Sequence, residues 1–304
     1  MNQLKGYAMV ASGAFCWGCA ATAAKLLIVR HVSTLLLVQT RVTFSVLLMA
    51  CVLAVAKPAL LRVRLNDLWR MALLGVVAIA GANYTYYVVI GEASVAVAIL
   101  LQYTAPLFVM AYAAFTREEE VTAVKLVAAA LAIAGCYFAV GGSVASAGLP
   151  AGALAIGLLS AVCFAFLTVF TRHLLVRYSI WTVNFYGFAF ASLFWLIVNP
   201  PWSIARESPG PGTWAALVGL AVISVLLPYS LFFAGLRHVV SSRAIIISTL
   251  EPVTAIITAA VIAGESFSLP QGFGAALVIG AIVLLQVRHE RGGEELGEDS
   301  HGRE

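Results

Sequence analysis

The sequence predicts an all-α integral membrane protein of ten transmembrane helices, arranged as two five-helix repeats of inverted topology. Three observations lead there. The 304 residues are 62% hydrophobic and only 11% charged, too little charge to cover a soluble domain of this size. Runs of Ala, Val, Leu and Ile recur at about 20 residues, the length that crosses roughly 30 Å of hydrocarbon. The features of the first half return in order in the second, which points to an internal duplication.

Hydropathy and chain breaks together place the spans at 4–28, 35–56, 68–90, 93–116, 121–140, 151–171, 180–198, 213–235, 241–264 and 269–287. Lys57-Pro58, the run Arg117 to Glu120, the segment 141–150, the Pro-rich stretch 199–212 and Pro270 punctuate them. The division is a first repeat at 1–145, a second at 146–287, and a polar, Glu- and Gly-rich tail at 288–304 expected to be disordered and cytoplasmic. The first run is too long for the core of a cleavable signal and has no evident cleavage site, so it reads as the first span.

Basic residues fix the orientation. With the N-terminus inside, cytoplasmic segments hold Lys5, Lys57, Arg62, Arg64, Arg70, Arg117, Lys125, Arg172, Arg177, Arg237, Arg243, Arg288, Arg291 and Arg303. The other side holds only Lys25, Arg30 and Arg206. This bias predicts a multi-pass protein with both termini cytoplasmic; the expected location is the plasma (bacterial inner) membrane. The same scattered charges form no basic stripe with interleaved aromatics, so nucleic acid is excluded as a partner. The expected partners are a small-molecule substrate and membrane lipid, with the chain a monomer or weak homodimer.

A shift of 146 positions places Ala98-Ile99 on Ala244-Ile245, Pro106 on Pro252, Glu119 on Glu265, Thr122 on Ser268, Gly6 on Gly152 and Ser33 on Ser179. Within the third span the shift is 144, matching Gly75 and Gly91 to Gly219 and Gly235. Because each unit contains five spans, an odd number, the second enters the membrane from the opposite side. Inverted repeats are the architecture of secondary transporters, where two related units expose one central site alternately to each face.

Polar residues inside apolar spans mark the central site. Asn83 lies one turn from Tyr86 and Tyr87 on one face of the third span; Asn83 and Tyr86 read as cavity-lining, whereas Tyr87 also fits an interfacial belt. Gln102, Tyr103 and Pro106 cluster in the fourth span, and Ser248, Glu251 and Pro252 in the ninth. Each proline removes one helical hydrogen bond, giving either a gating hinge or a static kink. Glu251 is an ionisable group at depth that must face protein or water; it could carry a proton, meet a substrate amine or pair structurally. Arg41 either snorkels to headgroups or binds a carboxylate. Trp17 and Tyr229 add aromatic faces suited to apolar or cationic ligands, and Trp181 is a further aromatic candidate.

Several chemistries are excluded. Cys16, Cys19, Cys51, Cys136 and Cys163 all fall in spans, and Cys16-Trp-Gly-Cys19 has neither the strand nor the polar neighbours of a redox motif. No His pair, H-E-x-x-H or nucleotide-binding loop is present. No metal, cofactor or catalytic residue is therefore expected, and the chain is not read as an enzyme. The contending readings are a secondary carrier and a channel-like or structural membrane protein without coupled transport.

The pattern Ser12-Gly-Ala-Phe-Cys-Trp17-Gly18, Lys25 and Gln39-Thr-Arg41-Val-Thr-Phe44 resembles the first two spans of EamA-type members of the drug/metabolite transporter superfamily. The segment from Leu236 through Arg243, Ala244 and Ile245 to Leu250-Glu251-Pro252-Val253 and Gly264-Glu265 is similar to the family's most recognisable stretch. The first repeat departs from it, with Pro106-Leu107 and Glu118-Glu119 at the matching places. The resemblance implies ten helices, two EamA repeats, and export of amino acids or related small amphipathic metabolites through a central cavity.

Overall fold

The structure, a computed structural model, describes residues 2–29, 31–93, 95–140, 151–207, 210–263 and 268–301. Among them there is no strand. Nine helical stretches are long and apolar enough to cross a membrane, and Ala123–Ala139 is a shorter apolar helix. We number them α1 (Asn2–Val29), α2 (Thr34–Ala56), α3 (Leu65–Glu92), α4 (Ala96–Thr116), α5 (Ala123–Ala139), α6 (Ala151–Arg177), α7 (Ile180–Val198), α8 (Pro211–Gly235), α9 (Ser241–Ile262) and α10 (Leu269–His301). The 17 residues of α5 reach about 26 Å at 1.5 Å each, just under the hydrocarbon thickness. The predicted match of Glu119 to Glu265, and the segment 141–150, lie outside the described residues.

Helix starts follow local chemistry. Ser33, Thr122 and Ser179 stand as N-caps of α2, α5 and α7, each accepting a hydrogen bond from the backbone N–H three residues on. Ser33 and Ser179 are the pair that the 146-residue shift superimposes. Two ends depart from expectation. Helix α6 continues past 171 to Arg177, because nothing in 172–177 breaks a helix. Helix α10 continues to His301, into the polar stretch for which composition predicts disorder; no proline follows Pro270 to end it, and Glu and Arg favour a helix there against the three glycines Gly292, Gly293 and Gly297.

Four helices are irregular, in matching pairs. Helix α3 contains a π-helical segment at Leu74–Ala80 and α8 another at Val222–Leu226. Helix α4 breaks at Tyr103 and Thr104, and α9 breaks at Thr249. Each break falls within a turn before Pro106 or Pro252. Pro106 sits in the first turn of the half-helix Ala105–Thr116, where its missing N–H has no helical partner to lose.

The packing repeats as well. Helix α1 lies against the C-terminal part of α8 and against α9; its counterpart α6 lies against the C-terminal part of α3 and against α4. Helix α2 contacts α7 and the start of α8, while α7 contacts α2 and the π-helical part of α3. Helices α5 and α10 pair side by side, close enough that a Cβ on Gly274 would overlap the backbone of Ala139. Exchanging the halves therefore maps the principal contacts onto one another. Helix α1 touches the π-helical turn of α8 and both halves of α9, and α6 touches the π-helical turn of α3 and both halves of α4.

Candidate functional site

Arg41, in the second turn of α2, turns inward. Its Nη2 donates to Asn83 Oδ1 over 2.6 Å, and its guanidinium lies 5.8 Å from the centre of the Tyr87 ring. Asn83 is held in turn: its Nδ2 donates to the carbonyl of Ile79, in the last turn of the π-helical segment, over 2.7 Å. One face of α3 thus presents Asn83, Tyr86 and Tyr87, with the rings of Tyr86 and Tyr87 5.5 Å apart edge to face. Tyr84 points away to Phe194 and Trp195 and is largely exposed, as a residue on the outer surface.

Glu251 faces this group from α9, next to the break at Thr249. The Tyr103 hydroxyl donates to its Oε2 over 2.6 Å. Arg41 and Glu251 lie near enough to attract one another, yet form no ion pair. Tyr86 and Tyr229 feel both charges, and Tyr229 also reaches Asn83. Glu251, Tyr86, Arg41 and Tyr229 are surrounded by helices but remain only half-buried, so they line a hollow rather than a packed core.

Aromatic rings close the hollow. Trp17 packs against Tyr229 at 5.2 Å, Phe232 at 5.5 Å and Phe164 at 6.4 Å. Tyr229 also meets Phe188 at 5.4 Å, and Tyr103 meets Phe164 at 6.2 Å. Five helices thus contribute one continuous wall.

Seven of the residues singled out in the sequence come together here: Trp17, Arg41, Asn83, Tyr86, Tyr103, Tyr229 and Glu251. Others do not. Gln102 donates to Ser160 Oγ over 2.9 Å, and Ser160 to the carbonyl of Ala82 over 3.1 Å, so Gln102 ties α4 to α6 and α3. Ser248 is fully buried and returns its hydroxyl to the carbonyl of Ile245. Pro106 and Pro252 are buried beside the breaks. Trp181 is exposed on the outer surface. Phe164, Phe188 and Phe232 join the wall without having been marked by any polar neighbour in sequence, and Tyr87 belongs to the site rather than only to an interface. The cysteines are free thiols, and no group of three metal-ligating side chains occurs among the described residues.

At one end of the bundle, charges link the helix ends. Glu119, in the α4–α5 connection, accepts from the N–H of Ser241 at 2.9 Å and the hydroxyl of Ser242 at 2.5 Å, at the start of α9. Lys125 and Arg172 each stand 3.5 Å from its carboxylate. Close by in the fold, Asp67 accepts from Tyr178 at 2.6 Å and pairs with Arg177 at 3.2 Å and Arg70 at 3.3 Å. Burial, and then the bond to Asp67, holds the Tyr178 phenol above its ordinary pKa, so it remains a donor.

The model of the EamA-like transporter family matches residues 4–141 and again residues 151–287. The chain belongs to that family. Both matched segments coincide with the two halves whose contacts interchange. Among relatives of this EamA-like transporter, an uncharacterized inner membrane transporter of Salmonella typhimurium is 25% identical over 299 residues, 94% of this chain and 97% of the relative. An uncharacterized transporter of Archaeoglobus fulgidus is 28% identical over 200 residues, 66% and 70% of the two chains. One of Bacillus subtilis is 26% identical over 239 residues, 76% of each. A solved crystal structure superimposes with TM-score 0.77 at 20% identity, covering 95% of this chain and 98% of its own; that likeness bears on the fold.

Proposed function

We propose that this EamA-like transporter is a secondary carrier that exports amino acids or related small amphipathic metabolites across the inner membrane by alternating access. The observation that carries the reading is the placing of the helix breaks. Tyr103–Thr104 in one half and Thr249 in the other flank the same polar, aromatic-walled hollow. Two half-helices that can re-angle about a shared site are what alternating exposure requires. A channel would need a continuous path, and a scaffold would need no partly accessible charge at its centre.

In this reading the two halves lie antiparallel in the bilayer, ten crossings in all, with both termini in the cytoplasm. The end tied by Glu119 and Asp67 is then the cytoplasmic end, in keeping with the excess of Lys and Arg there. Family membership and the transporters among its relatives support a carrier rather than an enzyme. The test is counterflow: purified protein in liposomes loaded with a panel of unlabelled metabolites, with labelled counterparts outside. Saturable exchange that needs substrate on both sides is expected. Absence of exchange across a broad panel, or flux that never saturates, overturns the proposal.

A further inference from the structure

From the charges in the hollow we infer that the site takes zwitterions in one fixed orientation, anionic end on Arg41 and cationic end on Glu251. The inference rests on the carrier reading and adds to it a recognition rule and its residues. Arg41 and Asn83 come from α2 and α3, Glu251 from α9, so the opposite charges sit on different walls of one hollow. Opposite charges in a low-dielectric interior attract strongly, yet here each is held back by a neutral partner, Asn83 for Arg41 and Tyr103 for Glu251.

Both groups also keep unused capacity. Arg41 Nε is buried without a hydrogen-bond partner, and Tyr103 engages only Oε2 of Glu251, leaving Oε1 unbonded among the described residues. A buried, unpaired guanidinium N–H is costly to keep inside a protein, while the Glu251 side chain is only half-buried and its Oε1 stays open to the hollow. A ligand bearing one carboxylate and one ammonium would satisfy both at once. A ligand with only one of those charges would leave the opposite group desolvated and unmatched, which is how a polar site rejects a near-isostere. Asn83 and the Tyr87 ring hold the guanidinium in place from two sides.

The experiment compares three forms of the same neutral L-amino acids in the counterflow assay: the free zwitterions, their methyl esters and their N-acetyl derivatives. The zwitterions should exchange, with each blocked form poorer by on the order of thirtyfold. Arg41→Gln should narrow the gap between zwitterion and ester while leaving the N-acetyl form rejected. Glu251→Gln should do the converse, narrowing the gap to the N-acetyl form. Ratios between compounds are read, so a lower yield of folded variant does not mimic either result. Exchange of either blocked form as fast as its parent overturns the inference while the carrier reading stands. So does exchange confined to uncharged compounds or to compounds of a single charge. Exchange of nothing in any panel overturns both.

Discussion

The Tyr103 hydroxyl donates to Glu251 Oε2 over 2.6 Å, and the two residues belong to the two helices that break in mid-span. Tyr103 is itself within the break of α4, and Glu251 follows the break of α9 by two positions. A single bond thus joins the break of one repeat to the break of the other. Its geometry makes it a contact that must change whenever those half-helices re-angle, and it occupies one oxygen of the carboxylate that faces the hollow.

Removing the donor tests that coupling. Tyr103→Phe keeps the ring against Phe164 but leaves the Glu251 carboxylate without its hydroxyl. The unmatched carboxylate should destabilise the protein by about 1–3 kcal/mol. Glu251→Gln in the same background should recover part of that loss, because an amide tolerates the site better than an unpaired charge. Thermal unfolding of the two single variants and the double variant supplies the cycle. Additive effects would show that the bond joins nothing of consequence.

The Glu119 cluster yields a second expectation. Its carboxylate draws together the α4–α5 connection, the start of α9, Lys125 and Arg172. Glu119→Ala leaves the buried Lys125 only the carbonyl of Glu120 and uncaps α9, a loss of up to about 3 kcal/mol, tempered by that bond and because Arg172 is partly exposed. Hydrogen exchange resolves where that loss falls. Faster exchange should be confined to residues 117–125 and 241–248, with α5 and α10 unchanged at their mutual contact. Uniform acceleration throughout the chain would mean that Glu119 supports the whole fold and closes no particular end.

How far the sequence could be read depends on what repeats. Span positions follow from apolar length, and the cap pair Ser33 and Ser179 from a simple shift, because duplicated backbone needs duplicated caps. The face Asn83, Tyr86, Tyr87 follows from helical spacing alone. The site's charges are another matter. Under the same shift Arg41 stands opposite Gly187, and Glu251 opposite Ala105, so the comparison that reveals the fold is blind to both. Depth in a span does not give direction: spacing alone leaves Arg41 between lipid and interior, and its bond to Asn83 turns it inward. Phe164, Phe188 and Phe232 carry no contrast with their apolar neighbours. Ser248 was misleading because a hydroxyl in a helix can satisfy itself locally. Glu119 read as loop punctuation, since a charge run in sequence does not show which helix end it will cap.

A third expectation concerns how closely α1 approaches α9. A Cβ on Gly18 would collide with the side chain of Thr254 and crowd the backbone of Ala255. Gly18→Ala should therefore cost about 1–3 kcal/mol despite the higher helix propensity of alanine. It should also displace the neighbouring Trp17 from its contacts with Tyr229 and Phe232, altering Trp fluorescence. Thr254→Gly removes the obstructing atoms and should restore the spectrum when combined with Gly18→Ala. A Gly18→Ala protein as stable as the parent would mean that the two helices have room to spare.

The paired caps allow a comparison within one molecule. Ser33 Oγ accepts from Leu36 N at 3.1 Å and Ser179 Oγ from Thr182 N, also at 3.1 Å. The same bond at equivalent places predicts a loss of about 0.5–2 kcal/mol for either alanine variant. The surroundings differ, however. Ser179 Oγ also meets Thr182 Oγ1 at 2.8 Å, and that hydroxyl donates to the carbonyl of Leu60 over 2.7 Å. Ser179→Ala should thus loosen the 3₁₀ turn Pro58–Leu61 as well as the start of α7. Thermal unfolding gives the size of each loss, and hydrogen exchange at residues 58–64 tests the link to the turn: faster exchange is expected there in Ser179→Ala. An undisturbed turn would reduce Ser179 to a cap and nothing more.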